Sequence, residues 1–148
     1  MPRGLQAELK QTVPFASLEQ EASLSLMRTA DALQTHIEAF LKKFGLTGTQ
    51  YNALRILRGA GAEGLPCREI GARMITHDPD ITRLLDRLAD RGLVERTRGK
   101  HDRRVIYGRI TTAGLKLLRE MDGPVEKYSR EMLKHVGQEK LRLLIDLL

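Results

Sequence analysis

The hydrophobic period of the chain changes at Gly92, and this change limits the possible folds more than any other feature. Upstream, the apolar residues of 81–88 follow the i, i+3, i+4, i+7 spacing of an amphipathic helix. Downstream, Leu93–Arg98 and Arg104–Ile110 are predicted as two strands joined by a polar turn. A helix followed directly by a short hairpin predicts a mainly α fold with a small antiparallel β wing, in the α+β class.

Capping signals place a long helix well before this region. Ser17 and Gln20 have the spacing of a capping box, and apolar residues then recur at three- and four-residue steps up to Phe44. Gly45 is the expected end of this helix, because glycine readily adopts the left-handed conformation that closes helices. Residues 1–14 hold two prolines and no strong period, so we expect a mobile arm there.

Two shorter helices are predicted between the long helix and the period change. Thr47–Gln50 forms a second capping box, for a helix that the glycine-rich residues 59–64 end. The next helix is predicted from about Pro66 to Met74. The turn that follows, over 75–77, has the length by which a helix-turn-helix sets its second helix across the first.

The helix after this turn is the candidate recognition helix. Asp78 and Pro79 mark its start, because aspartate caps free N–H groups and proline suits the first helical position. Its N-terminus offers N–H groups and a positive dipole end to a phosphate or to the groove floor, and Arg83 can form bidentate hydrogen bonds with guanine. The residues predicted to face solvent are Thr82, Arg83, Asp86, Arg87 and Asp90. The alternative is an ordinary surface helix whose arginines pair with these aspartates.

The hairpin is the second candidate DNA-binding element, because it is strongly basic. Between residues 91 and 109 seven residues are basic and two are acidic, whereas the whole chain carries a net charge of +6. A basic tip can enter a narrow minor groove, and the candidates at its base and tip are Arg98, Lys100, Arg103 and Arg104. Asp102 repels phosphate, so we predict that its carboxylate pairs with Arg104 and fixes the tip. The alternative is that these charges only protect an edge strand from aggregation.

The residues after the wing predict a fifth helix and a leucine-rich end. Thr111 or Thr112 is the expected cap. Asp122-Gly123-Pro124 should kink or break this helix, because proline removes a helical hydrogen bond and clashes with the preceding turn. The leucine-rich residues 141–148 and the stripe of the first helix have no evident place to be buried in one winged domain. We therefore expect a two-fold symmetric homodimer.

Several motifs together carry a family resemblance. They are the run TR-x-x-DRL-x-x-x-GLV-x-R from Thr82 to Arg96, Asp102 with Arg104, TT-x-G from Thr111 to Gly114, and the segment from Leu46 to Leu54. The chain thereby resembles the MarR family, the multiple antibiotic resistance type of regulators. The resemblance implies a winged helix-turn-helix DNA-binding region over 46–112, with dimerisation helices over 15–45 and 113–148.

The resemblance also implies which residues meet the ligands. On the recognition helix the implied DNA contacts are Asp78, Pro79, Asp80, Thr82, Arg83 and Arg87, and on the wing they are Arg98, Lys100, Asp102, Arg103 and Arg104. A small anionic or aromatic effector is implied between the dimer helices and the winged region, often releasing DNA. His36 and Tyr51 are the candidate pocket residues, although a hydrogen-bonded interhelical histidine is the favoured interpretation of His36.

Three departures from the family pattern bear on these contacts. Asp80 stands where a serine or another small polar residue usually faces DNA. Gly108 is expected to interrupt the second wing strand, and residues 122–124 fall where the family's helix is usually long.

The expected function is that of a sequence-specific double-stranded DNA-binding transcriptional regulator, a repressor, on a pseudo-palindromic operator. The alternative is a winged-helix protein-interaction module without specific DNA binding. An enzyme is not expected, because the nucleophile-elbow, P-loop and zinc-protease motifs do not occur. No cofactor or metal is expected, and the single Cys67 is interpreted as an ordinary thiol. Neither a signal peptide nor a membrane-length apolar stretch occurs, so we expect a cytoplasmic protein.

Overall fold

The computed structural model of the chain describes residues 4–77 and 80–148. Its contacts divide the chain into two units, Met1–Gly48 and Thr49–Leu148. The helices are α1 (Leu5–Glu8), α2 (Leu18–Leu41), α3 (Gly48–Ala60), α4 (Cys67–Arg73), α5 (Ile81–Asp90), α6 (Thr112–Leu133) and α7 (Gln138–Leu147). The strands are β1 (Leu65–Pro66), β2 (Val94–Arg98) and β3 (Ile106–Ile110). Across the described residues no helix is both long and apolar enough to cross a membrane.

The first unit consists mainly of α2, which begins where the sequence predicts. The Ser17 hydroxyl accepts a hydrogen bond from the Gln20 amide at 3.1 Å, while the Gln20 side chain accepts one from the Ala16 amide at 2.8 Å. After a single 3₁₀ turn, Gly45 adopts a left-handed conformation with φ of 70° and closes the helix as expected. The Glu38 carboxylate then accepts hydrogen bonds from the Gly48 amide at 2.9 and 3.0 Å.

The N-terminal residues correct one expectation. Where the sequence predicts a mobile arm over 1–14, residues Leu5–Glu8 form the helical turn α1, and the Leu5 side chain is buried. The prediction is wrong for this stretch because one leucine can anchor a short helix that is too brief to give a periodic signal. Glu8 and Arg28 add an ion pair between α1 and α2, with 3.7 Å between Oε2 and Nε.

The apolar stripe of α2 remains largely uncovered within its own unit. Leu41 is the one buried residue of this helix, whereas Leu26 and Met27 are 52% and 69% exposed. Contiguous exposed apolar surface of this kind commonly marks an interaction site.

The second unit is built around a three-stranded antiparallel sheet of order β1-β3-β2. Its fully buried side chains come from four helices and include Leu54, Leu57, Ile70, Leu85, Leu88, Leu118 and Met121. The expected wing had two strands, and β1 was missed. Leu65 and Pro66 pair with Gly108 and Tyr107, respectively, at the edge of the sheet, where a proline that lacks an N–H is tolerated. A strand of two residues is too short to produce a period in the sequence.

Gly108 does not interrupt the wing, which corrects the expectation of a broken strand. β3 is continuous, and Gly108 lies opposite Arg96 on one side and Leu65 on the other. A Cβ atom at this position would lie 3.0 Å from Cδ1 and 3.2 Å from Cδ2 of Leu85. The glycine therefore lets α5 pack closely on the sheet.

Helix α6 runs without a break from Thr112 to Leu133, with Pro124 inside it. Thr111 is its N-cap and accepts a hydrogen bond from the Gly114 amide at 3.1 Å, as predicted. The predicted break at residues 122–124 is wrong. Two contacts secure the helix just before the proline: Met121 is fully buried, and the Asp122 carboxylate accepts two hydrogen bonds from Arg58, at 3.0 and 2.9 Å.

Candidate nucleic-acid interface

The candidate recognition helix α5 begins later than the sequence predicts. Asp78 and Pro79 lie outside the described residues, and the helix starts at Ile81. Asp80 is its N-cap, with Oδ1 accepting a hydrogen bond from the Arg83 amide at 3.0 Å. The capping role assigned to Asp78 therefore belongs to Asp80. The departure noted at Asp80 has a structural reason, since its carboxylate satisfies an N–H group that the helix cannot satisfy itself.

The buried face of α5 is the one that the sequence predicts, but two residues expected to face solvent, Thr82 and Asp86, are half-buried. Leu84, Leu85 and Leu88 are buried, whereas Arg83 and Arg87 are exposed. Thr82 is half-buried, and its hydroxyl lies 3.9 Å from the Cys67 sulfur at the start of α4. The helices α4 and α5 approach each other closely at Gly71. A Cβ atom on this residue would lie 3.3 Å from Cγ1 of Ile81. This close crossing is the packing that a helix-turn-helix requires.

Ion pairs sort the arginines of this region into two classes. Asp86 of α5 pairs with Arg96 of β2, and Glu95 pairs with Arg109 across the sheet. The hydrogen bond and the charge of Glu95 raise the pKa of the Arg109 guanidinium above its ordinary value. These two arginines are therefore neutralised by neighbouring carboxylates.

The arginines of the α5 surface belong to the other class. Of the ion pairs that the described part of the chain forms, none includes Arg83 or Arg87. The alternative interpretation, in which Asp86 and Asp90 neutralise them along the helix, is thus wrong for Asp86, which faces the wing. Only side chains without such partners are free to meet phosphates or bases.

The wing tip has an internal scaffold of hydrogen bonds. Asp102 Oδ1 accepts from the backbone amide of Arg104 at 2.9 Å, and the Asp102 carbonyl accepts from the Val105 amide at 3.1 Å. The Arg98 guanidinium donates to the carbonyl of Arg103 at 3.1 Å. The Asp102 carboxylate holds the tip as predicted, but its partner on Arg104 is the backbone amide and not the guanidinium.

This scaffold presents three basic side chains to solvent. Lys100, Arg103 and Arg104 are exposed, and no ion pair of the described residues includes them. Arg98, at the base, supports the tip through the hydrogen bond from its guanidinium to the Arg103 carbonyl. The wing charge is thus concentrated at the tip, since Arg96 and Arg109 on the strands are paired.

Two positioning interactions were missed by sequence reasoning. The side-chain oxygen of Asn52, on α3, accepts a hydrogen bond from the Ile75 amide at 2.8 Å and so holds the turn before α5. The Asp86–Arg96 pair joins α5 to β2. Both interactions link residues ten or more apart, and neither leaves a local pattern in the sequence.

The two candidate effector-pocket residues lie in different units. His36, on α2, is exposed and lines a groove of about 480 Å³ within the first unit, together with Leu5, Arg28 and Thr35. Tyr51, on α3, is half-buried, and the Arg55 guanidinium lies 5.9 Å from the centre of its ring. A pocket that includes both residues stays a prediction.

Comparison with known proteins gives a consistent result. The family model described as MarR family matches residues 44–105. The crystal structure of a MarR transcription factor from Planctomyces limnophilus is 45% identical, with 90% of this chain and 97% of that chain aligned and a TM-score of 0.72. The HTH-type transcriptional regulator FarR of Neisseria gonorrhoeae is 29% identical over 136 residues, 92% of each chain. The crystal structure of NadR in complex with 4-hydroxyphenylacetate is 27% identical, covering 91% of this chain and 94% of that chain at a TM-score of 0.68.

Proposed function

The chain belongs to the MarR family of transcriptional regulators, and on that premise we propose that it is a homodimeric repressor that binds specific double-stranded DNA. One observation carries the proposal. Five basic side chains on α5 and the wing tip have no carboxylate partner among the described residues: Arg83, Arg87, Lys100, Arg103 and Arg104. Other arginines of the same region are paired, so these five are the ones available to an anionic ligand.

The two groups of free charges fit different parts of a duplex. A helix such as α5 fits the major groove, where Arg83 can discriminate guanine by bidentate hydrogen bonds and Thr82 lies close to the base edges. The wing tip suits the flanking minor groove or its phosphates, where narrow A·T-rich segments attract Arg103 and Arg104. Asp102 supports this contact by ordering the tip and does not touch the DNA itself.

Dimerisation is proposed from the apolar residues that the chain leaves uncovered at both ends. In the first unit they include Leu18, Leu24, Leu26 and Met27, and at the C-terminus Leu143, Leu144, Ile145, Leu147 and Leu148. Self-association would remove this surface from water, and a two-fold axis would present two α5 helices about one helical turn of DNA apart, roughly 34 Å. The operator should then be a pseudo-palindrome. A dimer seated on a promoter would block transcription by occupancy alone.

An effector of the small aromatic or anionic class is proposed by analogy with NadR, whose structure contains 4-hydroxyphenylacetate. His36 and Tyr51 are the residues that we propose to contact it. Titrating small aromatic carboxylates such as 4-hydroxyphenylacetate into the protein–operator complex should release the DNA. Release that survives both His36→Ala and Tyr51→Ala would remove these two residues from the proposal.

The test of DNA binding begins with selection of bound sequences from random duplexes, followed by dissociation constants over a salt series. Arg83→Ala should relax the base preference at one symmetric pair of positions, at about 1–3 kcal/mol per bidentate contact, and leave the salt slope nearly unchanged. Arg103→Ala should weaken binding to every sequence and make the slope shallower by about one unit per contact. Lys127→Ala, which removes the same charge from the exposed surface of α6, is the matched control and should change neither.

A selection that enriches no DNA sequence would favour the alternative function. A dimer that enriches no sequence and binds duplex DNA without salt dependence would instead favour a winged-helix protein-interaction module. A monomer mass by light scattering at micromolar concentration would contradict the dimer.

A further inference from the structure

One exposed apolar side chain is not explained by dimerisation. Among the described residues, the large apolar side chains that are exposed lie within residues 9–27 or 143–148, with a single exception. The exception is Ile75, which is 87% exposed, more than any of the others. An isoleucine that is 87% exposed buries little area in the free protein, so its side chain contributes little to the core.

The backbone of Ile75 is held in place. Its amide donates to the side-chain oxygen of Asn52 at 2.8 Å. Asn52 is itself fixed on α3, where the next two residues, Ala53 and Leu54, are fully buried. The outward position of Ile75 is therefore tied to the core of the second unit and is not the result of an unanchored loop.

Ile75 lies in the turn between the two helices of the helix-turn-helix. It follows α4 and its C-cap Met74, and precedes Asp80, the cap of the recognition helix α5. The N-terminal end of a recognition helix is the part that contacts base edges in the major groove. A side chain in the turn just before that end reaches the same groove at its margin.

We propose that Ile75 is a specificity-determining residue that packs against the C5-methyl group of a thymine in each half-site, and that Asn52 is the positioning residue that holds it there. The inference rests on the proposed DNA-binding function. The thymine methyl is the apolar group that the major groove displays, and apolar side chains recognise it by contact. Among the neighbouring exposed residues, Arg83 and His77 offer charge or hydrogen bonds, and Thr76 offers one methyl group beside its hydroxyl, so Ile75 presents the largest apolar surface to such a contact.

The size of the effect follows from the buried methyl group. Burying one such group changes a dissociation constant by about fourfold, and two half-sites give about fifteenfold for the dimer. Arg83 is expected to read guanine through hydrogen bonds, so the two residues would specify different positions of the operator.

The experiment deletes the methyl group from the DNA and the side chain from the protein. Each thymine of the selected operator is replaced by uracil, which removes only the C5-methyl, and dissociation constants are measured for the parent and for Ile75→Ala. At one symmetric pair of thymines we expect the parent to lose about fifteenfold in affinity. Ile75→Ala should bind the uracil and thymine operators equally. Arg83→Ala, the matched control, should keep the parent's sensitivity to the methyl group.

Two variants of Asn52 test the positioning role. Asn52→Ala should lose the sensitivity to thymine methyl groups, whereas Asn52→Asp should keep it, because a carboxylate oxygen still accepts the Ile75 N–H. Circular dichroism and thermal melting establish that each variant is folded.

Three results would overturn the inference. One is a parent protein that tolerates uracil at every thymine while still binding its operator tightly. Another is methyl sensitivity that Ile75→Ala retains in full, which would assign it to a different side chain. A third is a parent that binds no duplex DNA, in which case the proposed function fails first and Ile75 is left as a contact for a protein partner.

Discussion

Asp102 provides a test in which charge and hydrogen bonding predict opposite results. The residue is an exposed carboxylate in a basic wing, so simple electrostatics predicts that removing it tightens DNA binding. The structure gives its Oδ1 a different role, as the acceptor for the Arg104 amide at 2.9 Å. Two substitutions separate these roles: Asp102→Asn removes the charge and keeps an acceptor, whereas Asp102→Ala removes both.

The magnitudes decide which effect prevails. A carboxylate about 10 Å from a phosphate in water is repelled by about 0.4 kcal/mol, and physiological salt reduces this by more than half. A hydrogen bond of this kind contributes about 0.5–1.5 kcal/mol when it forms. Loss of the bond therefore outweighs loss of the repulsion. We expect Asp102→Ala to bind the operator two- to tenfold more weakly than Asp102→Asn for each wing.

The assay is fluorescence anisotropy of a labelled operator, with a scrambled duplex of equal length as the control and a series of salt concentrations. Asp102→Asn should bind as tightly as the parent or slightly more tightly, most clearly at low salt. Asp102→Ala should bind more weakly than both, although it carries the same charge as the asparagine variant. If alanine and asparagine bound equally well, the hydrogen bond to Arg104 would have no part in ordering the tip for DNA.

Three further predictions concern stability. Gly108→Ala should lower the free energy of unfolding by about 1–3 kcal/mol in urea titrations, because the new methyl group crowds Leu85. Gly123→Ala is the control, since a Cβ there meets nothing within 4 Å, and it should raise the free energy of unfolding by up to about 1 kcal/mol. If Gly108→Ala were the more stable of the two variants, the packing argument would be refuted. A double-mutant cycle on Arg58 and Asp122, whose side chains are 30% and 49% exposed, should give a coupling below about 1 kcal/mol, and a larger value would mean that the pair is better shielded from water than its exposure suggests. The backbone of the α2 N-terminus and the Ser17 hydroxyl lower the pKa of Glu19 from its ordinary value of 4.5. Glu19→Gln should therefore reduce stability at neutral pH, and the difference from the parent should disappear as the pH falls below 4.5. A difference in stability that does not change with pH would contradict this cause.

Local signals made the helix ends predictable from the sequence. Ser17 and Thr111 each accept a hydrogen bond from an amide three residues on, and such a short interaction is visible as residue spacing. Gly45 closes the first long helix by its own backbone conformation. The existence of the recognition helix was also predictable, but its start was predicted at Asp78-Pro79, whereas the helix begins at Ile81 with Asp80 as its cap.

Interactions between distant residues could not be predicted in this way. The strand Leu65–Pro66 exists because β3 offers it an edge more than forty residues later. Pro124 was expected to kink or break the helix by its local chemistry, yet α6 continues from Thr112 to Leu133, with the contacts of Met121 and Asp122 securing it just before the proline. Asn52 carries no motif at all, since its role depends on the fold that brings Ile75 to it.

The same distinction changes what the basic composition of the wing region implies for DNA binding. Counting residues gives nine candidate phosphate contacts per subunit, namely the seven basic residues of 91–109 together with Arg83 and Arg87. A dimer using all of them would show a slope of log K against log salt of about −16. Among the described residues, Arg96 and Arg109 are paired with carboxylates and Arg98 binds a carbonyl, while Arg91 lies at the C-terminal end of α5, away from its N-terminus. That leaves five basic side chains per subunit on the α5 surface and the wing tip. The slope expected from those five is about −9 at most. A measured slope steeper than about −12 would show that arginines such as Arg96 give up their carboxylates for phosphates when DNA binds, and the division into paired and free arginines would then describe the free protein only.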